Sequence, residues 1–227
     1  MGTMTRTSML PRLGLLAGLA IVAVLIAVVA AGNGSGTTKG GGTPATVSAL
    51  KGIPQSGITL GSPKAPVTMV EFADLQCPFC AEYQRNVFPT VLKKYVRTGK
   101  VRLELRLLRF IGPDSDRLAR VAVAAGAQNR MWQFVELAYQ RQGRENSGYA
   151  TSSFINRLAA DAGLKKLDAG ASAERQVSRN EQLARTLGID STPSFLVGKT
   201  GGTLTRFEPS ELTPGAFEPE LQKELKR

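Results

Sequence analysis

The chain's two cysteines stand one helical turn apart in Cys77-Pro78-Phe79-Cys80. The residues before them, Val67-Thr-Met-Val-Glu-Phe-Ala73, form a β-rich, mostly apolar run suited to a buried strand. Asp74-Leu75-Gln76 turns the chain. Pro78 suits the first position of a helix, where the missing N–H has no partner to lose. Cys80, Tyr83, Val87, Phe88, Val91, Leu92 and Tyr95 then recur at helical spacing, and Pro89 should kink that helix. Thr98-Gly99 ends it. Val101, Leu103, Leu105 and Leu107 alternate with Arg102, Glu104 and Arg106, which predicts a strand with one wet face. The result is a β–α–β unit with both thiols at the junction of first strand and helix.

That placement has a chemical consequence. A thiol attacks a disulfide as its thiolate. The start of a helix presents unpaired N–H groups and the positive end of the dipole, so Cys77 should ionise easily. Cys80, a turn later and facing the core, should be a shielded resolving thiol behind an exposed nucleophile. Exchange would run through a mixed disulfide on Cys77 that Cys80 resolves, or through the reverse steps. The bland alternative is a pair of inert core cysteines or a stapled helix start. So small a ring constrains the unfolded chain little, which makes stability a weak reason for a disulfide here.

With two cysteines and no histidine, a disulfide scaffold is excluded, and so are His-based triads and His-ligated haem. A zinc site has too few ligands, so no metal is expected. The formal charge of +11 fits a solvated basic surface, with attraction to anionic lipid or acidic clients as an alternative. No basic-aromatic motif suggests nucleic acid.

Leu13 to Ala31 is a run of 19 residues without a polar side chain, preceded by Arg6 and Arg12. It predicts a transmembrane anchor, with residues 1–12 cytoplasmic and the remainder outside. A signal segment cleaved near Ala30-Ala31-Gly32 is the rival, which would release the protein. Residues 32–56, rich in Gly, Ser and Thr, read as a flexible linker. The folded domain is expected over 57–227. Within it, about 113–187 has helical but no strand patterns and reads as a helical insert. Ser194–Val197 and Thr203–Phe207 predict a hairpin, and Pro214 to Lys226 a last helix.

Val70-Glu-Phe-Ala-Asp-Leu-Gln-Cys-Pro-Phe-Cys80 resembles the active-site segment of DsbA-type thiol–disulfide oxidoreductases, and within them the membrane-anchored or secreted BdbD-like group. The resemblance implies an α/β thioredoxin fold with a helical insert, preceded here by the transmembrane helix. Ser191-Thr192-Pro193-Ser194-Phe195 is similar to the family's cis-proline loop. That loop packs beside the cysteines, and the residue before the proline, Thr192, offers backbone groups to an extended client. An ordinary trans proline is the alternative reading. Glu71 stands where the family carries a buried acid, and could relay a proton to or from Cys80. It could also be a surface residue at a sheet edge. Asp74 is closer in sequence but better placed to serve the turn. The chain departs from DsbA at Phe79, where DsbA has a histidine that helps hold the thiolate, so a milder oxidant is expected.

The expected activity is oxidation of cysteine pairs in exported proteins, with the Cys77–Cys80 disulfide as redox group and no other cofactor. The resemblance implies a quinone-linked membrane partner for recycling. A reductase or isomerase on the same residues is one alternative. A non-catalytic module using the Thr192-Pro193 groove as a peptide dock is another.

Overall fold

The computed structural model describes residues 1–2 and 45–227. The expected anchor and most of the expected linker lie outside the described residues. Among the described residues, no helix is long and apolar enough to cross a membrane.

Six strands form one sheet: β1 (Gln55–Ser56), β2 (Thr59–Leu60), β3 (Val67–Ala73), β4 (Val101–Leu107), β5 (Ser194–Lys199) and β6 (Thr205–Phe207). Their spatial order is β1-β2-β4-β3-β5-β6. β3 lies parallel to β4 and antiparallel to β5, which makes it the centre of the sheet. All seven residues of β3 are buried, because both faces of a central strand are covered. Its alternate side chains feed two cores. Val67, Met69 and Ala73 join the large one, with Leu103, Leu105, Phe195 and Val197. Val70 and Phe72 join a small one on the other face, with Leu108, Ala184 and Ile189. The wet-faced pattern predicted for β4 is observed as strict alternation of buried and half-buried residues.

The connection from β3 to β4 is helical and broken where Pro89 breaks it. Helix α2 runs Pro78–Asn86, α3 runs Phe88–Val91, and a π-helical turn covers Leu92–Val96. Without an N–H, Pro89 cannot continue the ladder to the preceding turn, and the helix restarts around Val87. The insert between β4 and β5 has four helices: α4 (Pro113–Gly126), α5 (Met131–Gln140), α6 (Ser152–Asp161) and α7 (Ala171–Thr186). Thr151 caps α6 by accepting from Phe154 N. The last helix, α8, is Pro214–Lys226.

Three boundaries differ from the sequence expectation, among them the end of β5, which runs to Lys199 rather than Val197. The ordered chain begins before residue 57: a short helix α1 spans Ala45–Ala49, and Val47, Leu50 and Ile53 are buried in the large core. Three spaced apolar side chains dock this segment although the neighbouring composition is Gly/Ser/Thr-rich. The strand expected from Thr203 starts at Thr205.

Arg109, just past β4, ties the sheet to the insert. Its guanidinium donates to Glu181 at 2.9 and 3.0 Å, to Glu174 at 2.9 Å and to Asp116 at 2.9 Å. Arg109→Ala would leave Glu181 without this partner and Asp116 and Glu174 with Arg120 as their cationic partner. It is expected to destabilise the domain by about 1–2 kcal/mol, read as a lower urea midpoint. Arg109→Lys should recover part of this, since lysine cannot reproduce the forked donors.

Candidate active site

β3 delivers the chain to the C-terminal end of the central strand, and Asp74 makes the turn that starts α2. Its carboxylate accepts from Gln76 N at 2.8 Å, from Ser115 Oγ at 2.6 Å and from Ile111 N at 3.1 Å. A carboxylate that bonds the backbone two residues on is a usual way to hold such a turn. Burial raises the Asp74 pKa, and these hydrogen bonds counter part of the rise.

Cys77 is the N-cap of α2, with extended backbone, and its carbonyl accepts from Ala81 N. Both cysteines are free thiols. The expectation of an exposed nucleophile needs correction, because Cys77 is only 5% exposed. Its Sγ donates to the Thr192 carbonyl at 3.2 Å, so the loop before β5 lies against it. The Thr192–Pro193 peptide bond is cis. Cys80 is fully buried, one turn along. Phe79 between them is 60% exposed and forms the open rim beside Cys77.

The two thiols have opposite electrostatics. Cys77 is lowered from 9.0 to about 6: the hydrogen bond from Cys80 contributes most, and the Thr192 side chain and the N–H groups of Cys80 and Phe79 add to it against the cost of burial. Cys80 is pushed well above 9.0, chiefly by burial, then by Cys77 and Glu71. This asymmetry suits one nucleophile and one protonated partner.

Glu71 is buried, 4% exposed, not at a sheet edge. In the sheet register it pairs with Leu105 on β4 and Phe195 on β5. It therefore points into the large core, on the side of α2. Burial raises its pKa from 4.5 to about 8, with a smaller push from Cys77. Its Oε1 has no hydrogen-bond partner among the described residues. A carboxyl that keeps its proton at neutral pH and interacts electrostatically with both cysteines can donate that proton.

Other residues at the site carry no local sequence signal. Gln142, in the loop between α5 and α6, donates its amide to the carbonyls of Leu75 and Cys77, both at 3.1 Å. Asn146 N donates to Gln76 Oε1 at 2.7 Å, and Gln76 Nε2 donates to Ser115 Oγ at 2.9 Å. Tyr139 OH, from α5, donates to Asp74 O at 3.2 Å. The insert thus supplies donors to the loop that carries the sulfurs.

Comparison with known proteins agrees with this geometry. The family model described as Thioredoxin matches residues 54–205. The probable disulfide bond formation protein D of Bacillus cereus is 30% identical over 149 residues, covering 61% of this chain and 68% of that one. The disulfide bond formation protein D of Bacillus subtilis is 30% identical over 158 residues, covering 65% and 68%. Among solved structures, oxidised BdbD from Bacillus subtilis matches with a TM-score of 0.64 at 23% identity, over 75% of this chain and 93% of that one.

Proposed function

Since the chain belongs to the thioredoxin family and is a DsbA-type, BdbD-like protein thiol–disulfide oxidoreductase, we propose that it works as an oxidase of cysteine pairs in exported proteins. The observation that carries this reading is the placement of the two sulfurs, Cys77 at the start of α2 against the Thr192 loop and Cys80 sealed one turn behind it. A client thiolate attacks Cys77 Sγ of the enzyme disulfide. The Cys77–Cys80 bond breaks, its electron pair goes to Cys80, and Glu71 gives Cys80 a proton. The client's second thiolate then attacks the client sulfur of the mixed disulfide and releases Cys77 as thiolate. Two electrons have passed from client to enzyme, and the client leaves with a disulfide.

A low Cys77 pKa favours this direction. The thiolate stabilises the reduced enzyme above pH 6, and the effect is lost as pH falls through 6. At pH 7 it amounts to about 1.4 kcal/mol, or about 30 mV, while Cys80 stays protonated and contributes nothing. Cys77 sits between the thiol of DsbA, near ~3.5, and that of thioredoxin, near ~7. With Phe79 in place of a charged neighbour, a milder oxidant than DsbA follows. Equilibration of the full chain with glutathione tests this. A potential at or above that of DsbA would refute the milder setting, and one as reducing as thioredoxin would refute the oxidase.

Alkylation of the reduced protein against pH checks the site itself. Cys77 should react with a midpoint near 6. Cys80 should stay unmodified until the protein unfolds. Two equally reactive thiols would contradict the assignment.

The apolar run Leu13–Ala31 supports placement outside the cytoplasm, held at the membrane by that segment or released after its cleavage. The redox group is the cysteine pair. Its reoxidation falls to a quinone-linked membrane protein, which would accept the two electrons from Cys77 and Cys80. Backbone groups of Thr192 beside Pro193 would hold the client as an added strand.

A further inference from the structure

Beneath Cys80 lie two polar atoms that the exchange steps leave unexplained. Glu71 Oε1 and Tyr83 OH are both buried, and neither has a hydrogen-bond partner among the described residues. Sheet register and ring packing bring both residues against Phe195, and Glu71 acts electrostatically on Tyr83. Glu71 and Phe195 are cross-strand partners, so their side chains share a face of the sheet. The ring of Tyr83 packs on Phe195 at 4.9 Å between centroids and on Phe217 at 5.4 Å. Tyr83 stands on α2, three residues after Cys80, and is fully buried. The titratable groups that interact with Glu71 are Cys77 at the cap of α2, Cys80 and Tyr83 from α2, and Tyr139 from α5, with Asp74 acting on Tyr139 from the turn. Tyr139 is committed to the Asp74 carbonyl. That leaves Tyr83 OH as the donor beside Glu71 with nothing else to bond.

We propose that Tyr83 is a positioning residue for the thiol exchange, its hydroxyl donating through one internal water to the Glu71 carboxylate that remains once the proton has moved to Cys80. This rests on the reading of Glu71 as that proton's source. In the step, the O–H bond of Glu71 breaks, an S–H bond forms on Cys80, and the charge moves from sulfur to carboxylate. A buried carboxylate with no donor is costly, and a phenol supplies one without adding a charge. Two orphaned polar atoms on residues that share Phe195 as a neighbour are what a single buried water between them would satisfy. Phenylalanine at residue 83 would fill the aromatic cluster equally well, so packing alone gives the hydroxyl no purpose.

Infrared titration of the carboxyl C=O band in the reduced full chain in detergent micelles tests the proposal, with Glu71→Gln identifying the band. The wild-type midpoint is expected below the value of about 8 that burial and Cys77 alone would set. In Tyr83→Phe it should rise by about 1–2 pH units, the worth of one hydrogen bond to a charged group. An unchanged midpoint overturns the proposal. In the wild type, the Tyr83 C–O band should shift in step with the carboxyl band. A Tyr83 band indifferent to pH overturns the proposal without any variant that might misfold. If instead both bands respond but Glu71→Gln releases Cys80 at the wild-type rate, the relay reading fails and the Tyr83–Glu71 link stands.

Discussion

The Cys77→Ser variant is expected to oxidise model dithiol peptides no faster than the uncatalysed background, whereas Cys80→Ser is expected to hold clients as mixed disulfides. The two losses differ in kind because the sulfurs differ in kind. Cys77 caps α2 and ionises near 6, helped by Cys80 and the N–H groups of the first turn, so it is the sulfur that joins the client. Cys80 is sealed in the core with its pKa pushed up, so it never meets a client directly. In the reductive direction its absence removes the resolving attack, and the adduct on Cys77 persists. Non-reducing electrophoresis with mass mapping would read both outcomes. A Cys77→Ser protein that still oxidises peptides would eliminate redox catalysis at this pair. Adducts mapped to Cys80 in Cys77→Ser would invert the assignment.

Replacing Glu71 by Leu should make the protein more stable and a poorer catalyst. In the unfolded chain Glu71 ionises near its ordinary 4.5, while the fold holds its proton until about 8. The unfolded state therefore binds fewer protons between those values, and stability falls there by about 1.4 kcal/mol per pH unit. At pH 7 the penalty is on the order of 3 kcal/mol. Glu71→Leu removes it and adds apolar contact with Leu105 and Phe195. The stability gap between variant and wild type should be small below pH ~4, widen up to about 8, and level off above that. Urea unfolding at several pH values measures it. Release of Cys80 at pH 7 should meanwhile slow by ~10²–10⁴-fold, the usual worth of a placed proton donor. A gap independent of pH would show that Glu71 ionises normally in the fold. An unchanged rate would show that the proton comes from elsewhere.

The parts of the molecule readable from its sequence are those whose signal is local. Alternation exposed β4, a continuous apolar run exposed β3, and Pro89 marked the break after α2. Glu71 was conspicuous as an acid inside an apolar run, but its burial depends on β3 being central, which the run alone does not fix. Helix α1 was hidden because its composition matches a linker and its reason to fold is the core it docks on. Gln142 and Asn146 were invisible for another reason. Their partners Cys77 and Gln76 lie 65 and 70 residues away, and a polar loop residue looks the same whether it bonds water or a distant carbonyl. Tyr83 read simply as one apolar step of a helix, since periodicity registers the ring and ignores the hydroxyl.

The donors from the insert bear on how transferable this redox centre is. Gln142 and Asn146 reach in from the loop after α5, and Ser115 from the start of α4, to hold the carbonyls and side chains of residues 74–77. A bare thioredoxin scaffold has no element at that position. Grafting Asp74–Cys80 onto such a scaffold would carry over both sulfurs and leave behind the scaffolding of their turn. The chemistry of this site is a property of two chain segments acting as one part, and it would have to be transplanted as one.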